Sequence, residues 1–398
     1  MEDGRLTRGQ WRRLAVSAYL PTMLSMVGHS ATTPLLPLTA LDLGSSVAEA
    51  ALVTALLGVG TFLGALPAGY LAARYGEKRV LVGAAAVDAV LILLAALAPS
   101  VLALYLVAVV LGVTSAAFGL ARQGYLTHAV PVGYRARAMS TMGGVFRIGS
   151  FVGPLLGAAI IAATELRAAY VLATVTSLLA GAVTLALPAL SGGREGGAAA
   201  SEPVRLGSVL LAHLPTYLTV GLGAAALTLV RTARDALLPL WSNAAGLDAA
   251  QTSLVFGLSA GVDMLLFYLG GSLMDRHGRR AVTTPAMLIM GAGLALLPLA
   301  HSFGAILAVA VVLGLGNGIS AGVVLTLGAD HAPRVGLAQF LTGWRLTTMG
   351  LGSMVGPLLI TGITAVAPLA AACVAMGAVG WAGAAWLWRW TAPRPAPE

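Results

Sequence analysis

The chain has 398 residues, of which 58% are hydrophobic before its 50 glycines are counted and only 10% are charged; soluble domains carry about 25% charge, and a mean hydropathy of +0.89 leaves no water-facing globule of this size. One cysteine, Cys373, and no long polar tract exclude a disulfide scaffold and a disordered chain. The net charge of +8 is scattered between apolar runs, unlike the basic face of a nucleic-acid-binding domain, so a polytopic protein partnered by the lipid bilayer remains.

A helix crossing a bilayer needs roughly 20 apolar residues, and the apolar runs predict twelve. Arg5, Arg8, Arg12 and Arg13 lead into the first run, 13–38, which is too long for a signal-peptide core and has no small-residue cleavage site after it. It is the first span and holds His29. The run 48–72 leads into a basic turn, 80–98 contains Asp88, 102–127 contains Arg122, and 139–162 contains Arg147 and Pro154. A sixth run, 168–189, is followed by a glycine- and alanine-rich stretch, 191–208, that reads as a flexible linker. The second set begins with 210–239, which holds Arg231, Arg234 and Asp235, and 250–273, which holds Asp263. It continues with 282–300, 304–328, 340–364 with Arg345, and 368–388, which ends beside Trp386, Trp388 and Trp390 as an aromatic belt. Inside a bilayer the backbone must satisfy its own hydrogen bonds, so these runs are helices. The expected fold is an all-α polytopic membrane protein with twelve transmembrane helices.

With the N-terminus inside, seventeen of the 23 basic residues are cytoplasmic, one (Arg167) is outside and five lie within spans. The positive-inside rule therefore puts the protein in a cell membrane with both termini cytoplasmic. An internal repeat divides the chain. At an offset of 202, Leu35-Leu36-Pro37-Leu38 matches Leu237-Leu238-Pro239-Leu240, and Gly44, Gly69, Arg74 and Gly76 match Gly246, Gly271, Arg276 and Gly278. Val109-Val110-Leu111-Gly112 likewise matches Val311-Val312-Leu313-Gly314. The halves are 1–190 and 209–398, six helices each and parallel in the membrane, as two even sets must be.

Two motifs carry further meaning. Gly271-Ser272-Leu273-Met274-Asp275-Arg276-His277-Gly278-Arg279-Arg280 fills a cytoplasmic turn, and its partner runs from Gly69 through Arg74, Gly76 and Lys78 to Arg79. Gly278 permits a tight turn, Gly271 a close helix approach, and Asp275 can accept hydrogen bonds from the basic cluster. This turn resembles the loop signature of the major facilitator superfamily. With the two-half repeat, the resemblance covers essentially the whole chain and implies a transporter whose halves rock about a central cavity. The first copy departs from the family pattern at Ala73, where an aspartate is usual. The second motif, Gly149-x3-Gly153-Pro154-x2-Gly157, resembles the family's antiporter motif and implies export. It reads equally as a packed, kinked helix, since Gly352–Pro357 repeats it. The arginine that exporters of the family usually carry four residues before Gly112 is Ala108 here.

Charges within spans are expensive and mark pathways or partners. Asp263 lies twelve residues before Asp275, hence about 18 Å deep at 1.5 Å per residue. It is either the structural partner of a nearby arginine or a protonatable coupling group. Arg231 and Asp235 are spaced to pair on one helix face, and Arg147 and Arg345 enter from the cytoplasmic ends. His29 aligns with Arg231 and is a polar cavity residue or a substrate ligand. Asp88 is either a proton-pathway candidate or a structural residue, since it lies on a third helix, which in the family supports the cavity without lining it. Five deep arginines against three aspartates make the cavity net positive, favouring neutral or anionic substrates. No metal cluster, phosphate loop or nucleophile–base constellation is present, so no cofactor and no enzyme activity are expected. The expected function is proton-coupled export of a small organic molecule by a monomer; uptake of a sugar or another metabolite is the alternative within transport, and a non-transporting membrane sensor the alternative outside it.

Overall fold

The computed structural model describes residues 15–130, 134–186, 206–333 and 335–391. The first half holds α1 Leu20–Thr32, α2 Leu35–Asp42, α3 Val47–Tyr75, α4 Glu77–Ala96, α5 Val101–Ala129, α6 Arg135–Ala163 and α7 Leu166–Ala186. After α8 Leu206–Ala212 the second half holds α9 Leu222–Ala244, α10 Ala249–His277, α11 Arg280–Leu296, α12 Phe303–Ile319, α13 Val323–Asp330, α14 Leu337–Trp344, α15 Leu351–Thr364 and α16 Leu369–Trp390. Most of the expected linker lies outside the described residues; its last three residues are helical, because α8 begins at Leu206. Arg5, Arg8, Arg12, Arg13, Arg194, Arg205, Arg334 and Arg394 also lie outside them.

Among the described residues, eleven helices are long and apolar enough to cross a membrane, not the twelve expected. The missing one is the first run. It is broken at Thr33–Pro34 into α1 and α2, each too short to span alone. Pro34 has no N–H and its ring clashes with the preceding turn, which ends a helix. The helices also outrun the expected spans, because their ends are fixed by caps and not by hydropathy. Ser46 with Glu49 forms a capping box at the start of α3, and Asp248 with Gln251 forms another at the start of α10. Gly76 and Gly278 close the same two helices at φ values of 82° and 85°, a conformation only glycine adopts cheaply. These paired features sit 202 residues apart, so the sequence repeat is also a repeat of local structure.

Within the first half α1 packs on α6 and α7, α3 on α5, and α4 on α5 and α7; in the second half α9 packs on α15 and α16, α10 on α12, and α11 on α12 and α16. The halves meet where α6 crosses α10 and α3 crosses α15. Small residues set these crossings: Gly58 backs onto the Ser353 backbone, and Gly257 and Gly261 onto Leu155 and Phe151. The outer faces carry exposed apolar side chains such as Leu106, Leu265 and Tyr268, as a lipid-facing surface should.

Candidate functional site

A cavity of about 290 Å³ lies between the halves, bordered by His29, Thr33, Thr61, Asp235, Asp263 and Asn317 among others. Asp263 is the centre of its polar network. One carboxylate oxygen is ion-paired with Arg147 of the other half, and the second accepts from Asn317 Nδ2 at 2.9 Å. The Arg147 guanidinium also lies 4.6 Å from the Phe267 ring centroid. Asp263 is thus paired with an arginine of the other half, and the pair bridges α6 and α10.

Arg231 does not pair with Asp235, contrary to the helical-spacing expectation. Its Nη2 donates to Ser320 O at 2.5 Å and to Ser320 Oγ at 2.8 Å. The reason is the break between α12 and α13. A helix that stops inside a membrane leaves carbonyls without N–H partners, and a cation at that C-terminus satisfies them. The glycines Gly316, Gly318 and Gly322 weaken the helix there, and Arg231 adds a cationic donor at the helix end, where Ser320 O also accepts from Val323 N at 3.1 Å. Asp235 instead has Arg234 at 3.7 Å, while Arg234 donates to Ser259 Oγ at 2.9 Å and is 4% exposed.

The five deep arginines therefore do not gather in one cavity. Arg147 is neutralised by Asp263 and Arg231 is turned to Ser320. Arg345 donates to Gln123 Oε1 at 2.5 Å across the halves and borders a separate cavity of about 620 Å³, on the side of the Gly76 and Gly278 turns. Arg122 borders a third space inside the first half, of about 90 Å³, together with Asp88 and His29. Charged side chains bordering the central cavity are Arg234, Asp235 and Asp263, so the expectation of a net positive cavity is corrected. Asp88 does not border the central cavity; it lies on the space inside the first half, where Thr114 Oγ1 donates to its carboxylate.

The motif glycines separate by one residue. An added Cβ at Gly271 meets nothing, and at Gly69 only Leu120, at 3.7 Å; Gly270 is the residue that packs directly on Ile319 O of α12. Adjacent helical positions differ by about 100° around the axis, which is why the close-approach role moves to Gly270. In the turn itself Arg279 makes a two-pronged pair with Asp330 at the end of α13, with distances of 2.8 and 3.1 Å. That carboxylate holds the Arg279 guanidinium pKa above its ordinary value. Arg280 stacks on Trp388, 3.3 Å from the ring centroid. In the first half Lys78 donates to Leu185 O at 3.0 Å, and Arg74 donates to the Tyr70 hydroxyl at 2.6 Å.

Gly149 and Gly153 of α6 lie against α1: an added Cβ at Gly149 would sit 2.6 Å from Met26 Cβ, and Ser30 Oγ donates to Gly149 O at 2.9 Å. Pro154 is buried beside them and Gly157 faces Ala31. Gly352 and Gly356 of α15 do the same against α9, at Thr228 and Leu229. Sequence reasoning did not single out Asn317, Ser320, Ser259, Thr114 or Asp330. Asn317 carried the readable signal, an amide in the otherwise apolar run Gly314–Gly318.

Comparison with known proteins gives a consistent frame. The family model of the Major Facilitator Superfamily matches residues 18–338 and 220–398. Two uncharacterized MFS-type transporters of Mycobacterium tuberculosis, MT1926 and Rv1877, are 30% identical over 135 residues, which is 34% of this chain and 20% of each relative. The match thus spans about a fifth of the length of these curated relatives. Among solved structures, the nucleoside transporter NupG superimposes with a TM-score of 0.76 at 15% identity, covering 94% of this chain and 99% of that one. A bacterial homolog of the human lysosomal transporter Spinster gives 0.72 at 15% identity (97% and 96% covered), and a D-xylose-proton symporter 0.71 at 13% (96% and 98% covered). At these identities the likeness is one of fold.

Proposed function

Because the chain belongs to the Major Facilitator Superfamily, we propose that it is a secondary transporter of the cell membrane that exports a small polar organic molecule in exchange for protons by alternating access. The observation that carries this reading is the cavity between the halves, closed by an ion pair whose two partners, Arg147 and Asp263, belong to different halves. Rocking the halves apart must break that pair, and a broken pair leaves two uncompensated charges in a low-dielectric site. A proton on Asp263, or a substrate group that replaces one partner, lowers that cost. Asp263 and Arg147 are the coupling pair in this reading; Arg234 and Asp235 hold polar substrate groups, with His29 at the first-half wall. The size of the cavity suits a small solute, near the lower end of ligand pockets, and its threonine and serine hydroxyls suit one that is polar and uncharged overall.

In the same reading α1 and α2 together make the first of twelve spans, 1–190 and 209–398 are the rocking halves, both termini are cytoplasmic and the protein works as a monomer. Uptake is the second reading. The Gly149–Pro154 packing that resembles an exporter motif is mirrored by Gly352–Pro357, so that packing is not peculiar to the half that carries the motif.

The test is transport in proteoliposomes, with substrates first found by ligand-induced thermal stabilisation across a compound library. Asp263→Asn should abolish proton-driven flux yet retain substrate binding and counterflow. Full proton-driven flux in that variant sinks the coupling role, and accumulation in the opposite direction replaces export by uptake. Reporter fusions at positions 164, 196, 246 and 398 should alternate out, in, out, in; an outside signal at 196 ends the topology reading.

A further inference from the structure

The 90 Å³ space inside the first half adjoins the cavity between the halves, with which it shares Met26, His29, Thr33, Leu57 and Phe146 at its border. It is enclosed by side chains of one half, and it has room for a few water molecules. Asp88 faces it with a single protein hydrogen bond, from Thr114 Oγ1. Of the three deep aspartates, Asp263 is paired with Arg147 and Asp235 with Arg234. Asp88 has no cationic partner among the described residues.

The charged and titratable groups that face Asp88 are His29 of α1 and Arg122 of α5; α7 and α3 contribute Ser177 and Leu57, which do not titrate. Arg122 is on the same helix as Thr114 but eight residues further on, hence about 12 Å along the axis. It stacks near Phe146, at 5.5 Å from the ring centroid, and its Nη1 is buried without a hydrogen-bond partner. The space thus has an acid at one level, a fixed cation at another, and hydroxyls between them. His29 borders both this space and the central cavity. An imidazole has one ring nitrogen that donates and one that accepts, so it can pass a proton from one side to the other.

We propose that Asp88 is a second proton-exchange site, confined to the first half and reached from the central cavity through His29 and water. The step is a proton transfer only: a proton from water in the central cavity binds one nitrogen of His29, the other nitrogen releases its proton to water in the inner space, and that proton is taken up by the Asp88 carboxylate. The charge balance favours the transfer, because an ionised carboxylate held by one hydroxyl is costly in a membrane interior and a protonated one is not. This extends the coupling part of the transport reading by adding a proton store that moves with one half.

The experiment needs no substrate, so it stands apart from the transport assays. Infrared spectra of the purified full-length protein, reconstituted in lipid, are recorded across a pH titration. The wild type should show a carboxylic-acid C=O band at neutral pH. Asp88→Asn should remove it, and Thr114→Val, which deletes only the donor hydroxyl, should shift its frequency. Arg122→Gln should raise the pH at which the band is lost, and His29→Phe should slow its hydrogen–deuterium exchange. If Asp88→Asn does not fold, the Thr114→Val shift decides. A neutral-pH spectrum without an acid band, or a band unmoved by both variants, overturns the proposal.

Discussion

The two halves share a repeat and differ at their polar interiors. At the 202 offset, Arg231, Arg234, Asp235, Asp263 and Asn317 of the second half face His29, Thr32, Thr33, Thr61 and Ser115 of the first. The charged residues that border the central cavity belong to the second half, and the first contributes hydroxyls, one imidazole and Arg147, the partner of Asp263. The reverse holds away from it: Asp88 and Arg122 of the first half align with Met290 and Val324. Helix breaks follow the same division. The first half interrupts its first helix at Thr33–Pro34, where the second has Asp235 and Ala236 and α9 runs through; the second half interrupts its fourth at Ser320–Gly322, where α5 is continuous. Duplicated caps and crossings keep the frame, while each half places its helix break and its buried charge where the other does not. The lesson is that pseudo-symmetry governs the packing and asymmetry governs the chemistry.

The largest effect should come from the Arg147–Asp263 ion pair that joins the halves. Arg147→Ala or Asp263→Ala leaves a buried charge alone and should cost about 3–5 kcal/mol, whereas Arg147→Met with Asp263→Leu should return near wild-type stability because both charges go together. Unfolding in detergent measures all three. An equal loss in the double variant would mean the pair is held by packing and not by charge, which would break the link between asymmetric charge and the contact of the two halves.

Exchanging the helix breaks sharpens the comparison at the next level down. Ala236→Pro inserts a proline into the continuous α9 and should cost about 3 kcal/mol or more. Pro34→Ala acts where the helix is already interrupted and should change stability by less than about 1 kcal/mol. A gain of about 3 kcal/mol on Pro34→Ala would instead show that α1 and α2 form one continuous helix in the membrane.

The smallest effect belongs to the turn. Arg279 and Asp330 are partly exposed, so Asp330→Asn should cost less than about 1 kcal/mol, and high salt should erase most of it. Since Asp330 raises the Arg279 pKa, the stabilisation is complete below the unfolded arginine value and is lost only as pH rises through the folded one. Stability should therefore be flat in this respect through neutral pH. The equivalent first-half positions hold Glu77 and His128. A large change in the spacing of probes on the two halves, without a change in stability, would mark the pair as a conformational bias.

Much of this was legible from the chain alone. Hydropathy determined the helical fold, because a backbone in lipid has almost no alternative to a helix. The 202 offset determined the two-part organisation, because repeated capping residues such as Ser46 and Asp248 act locally and need no tertiary context. Asp263 was legible as important by its depth, since a charge in an apolar run must find a partner or a role. Who that partner is was not legible. Arg147 lies 116 residues away and reaches Asp263 only because α6 crosses α10, while the local spacing pointed Arg231 at Asp235. Arg231 turned elsewhere because the α12 break brings the Ser320 carbonyl and hydroxyl within its reach, a pairing that exists only once the helix end is inside the fold. Likewise Gly270 and Gly271 are indistinguishable as letters, and a rotation of one residue decides which of them touches α12. Sequence determined what short-range geometry and solvent could enforce; the tertiary structure decided every pairing between distant elements, since long-range contacts depend on helix rotation and crossing, which hydropathy does not encode.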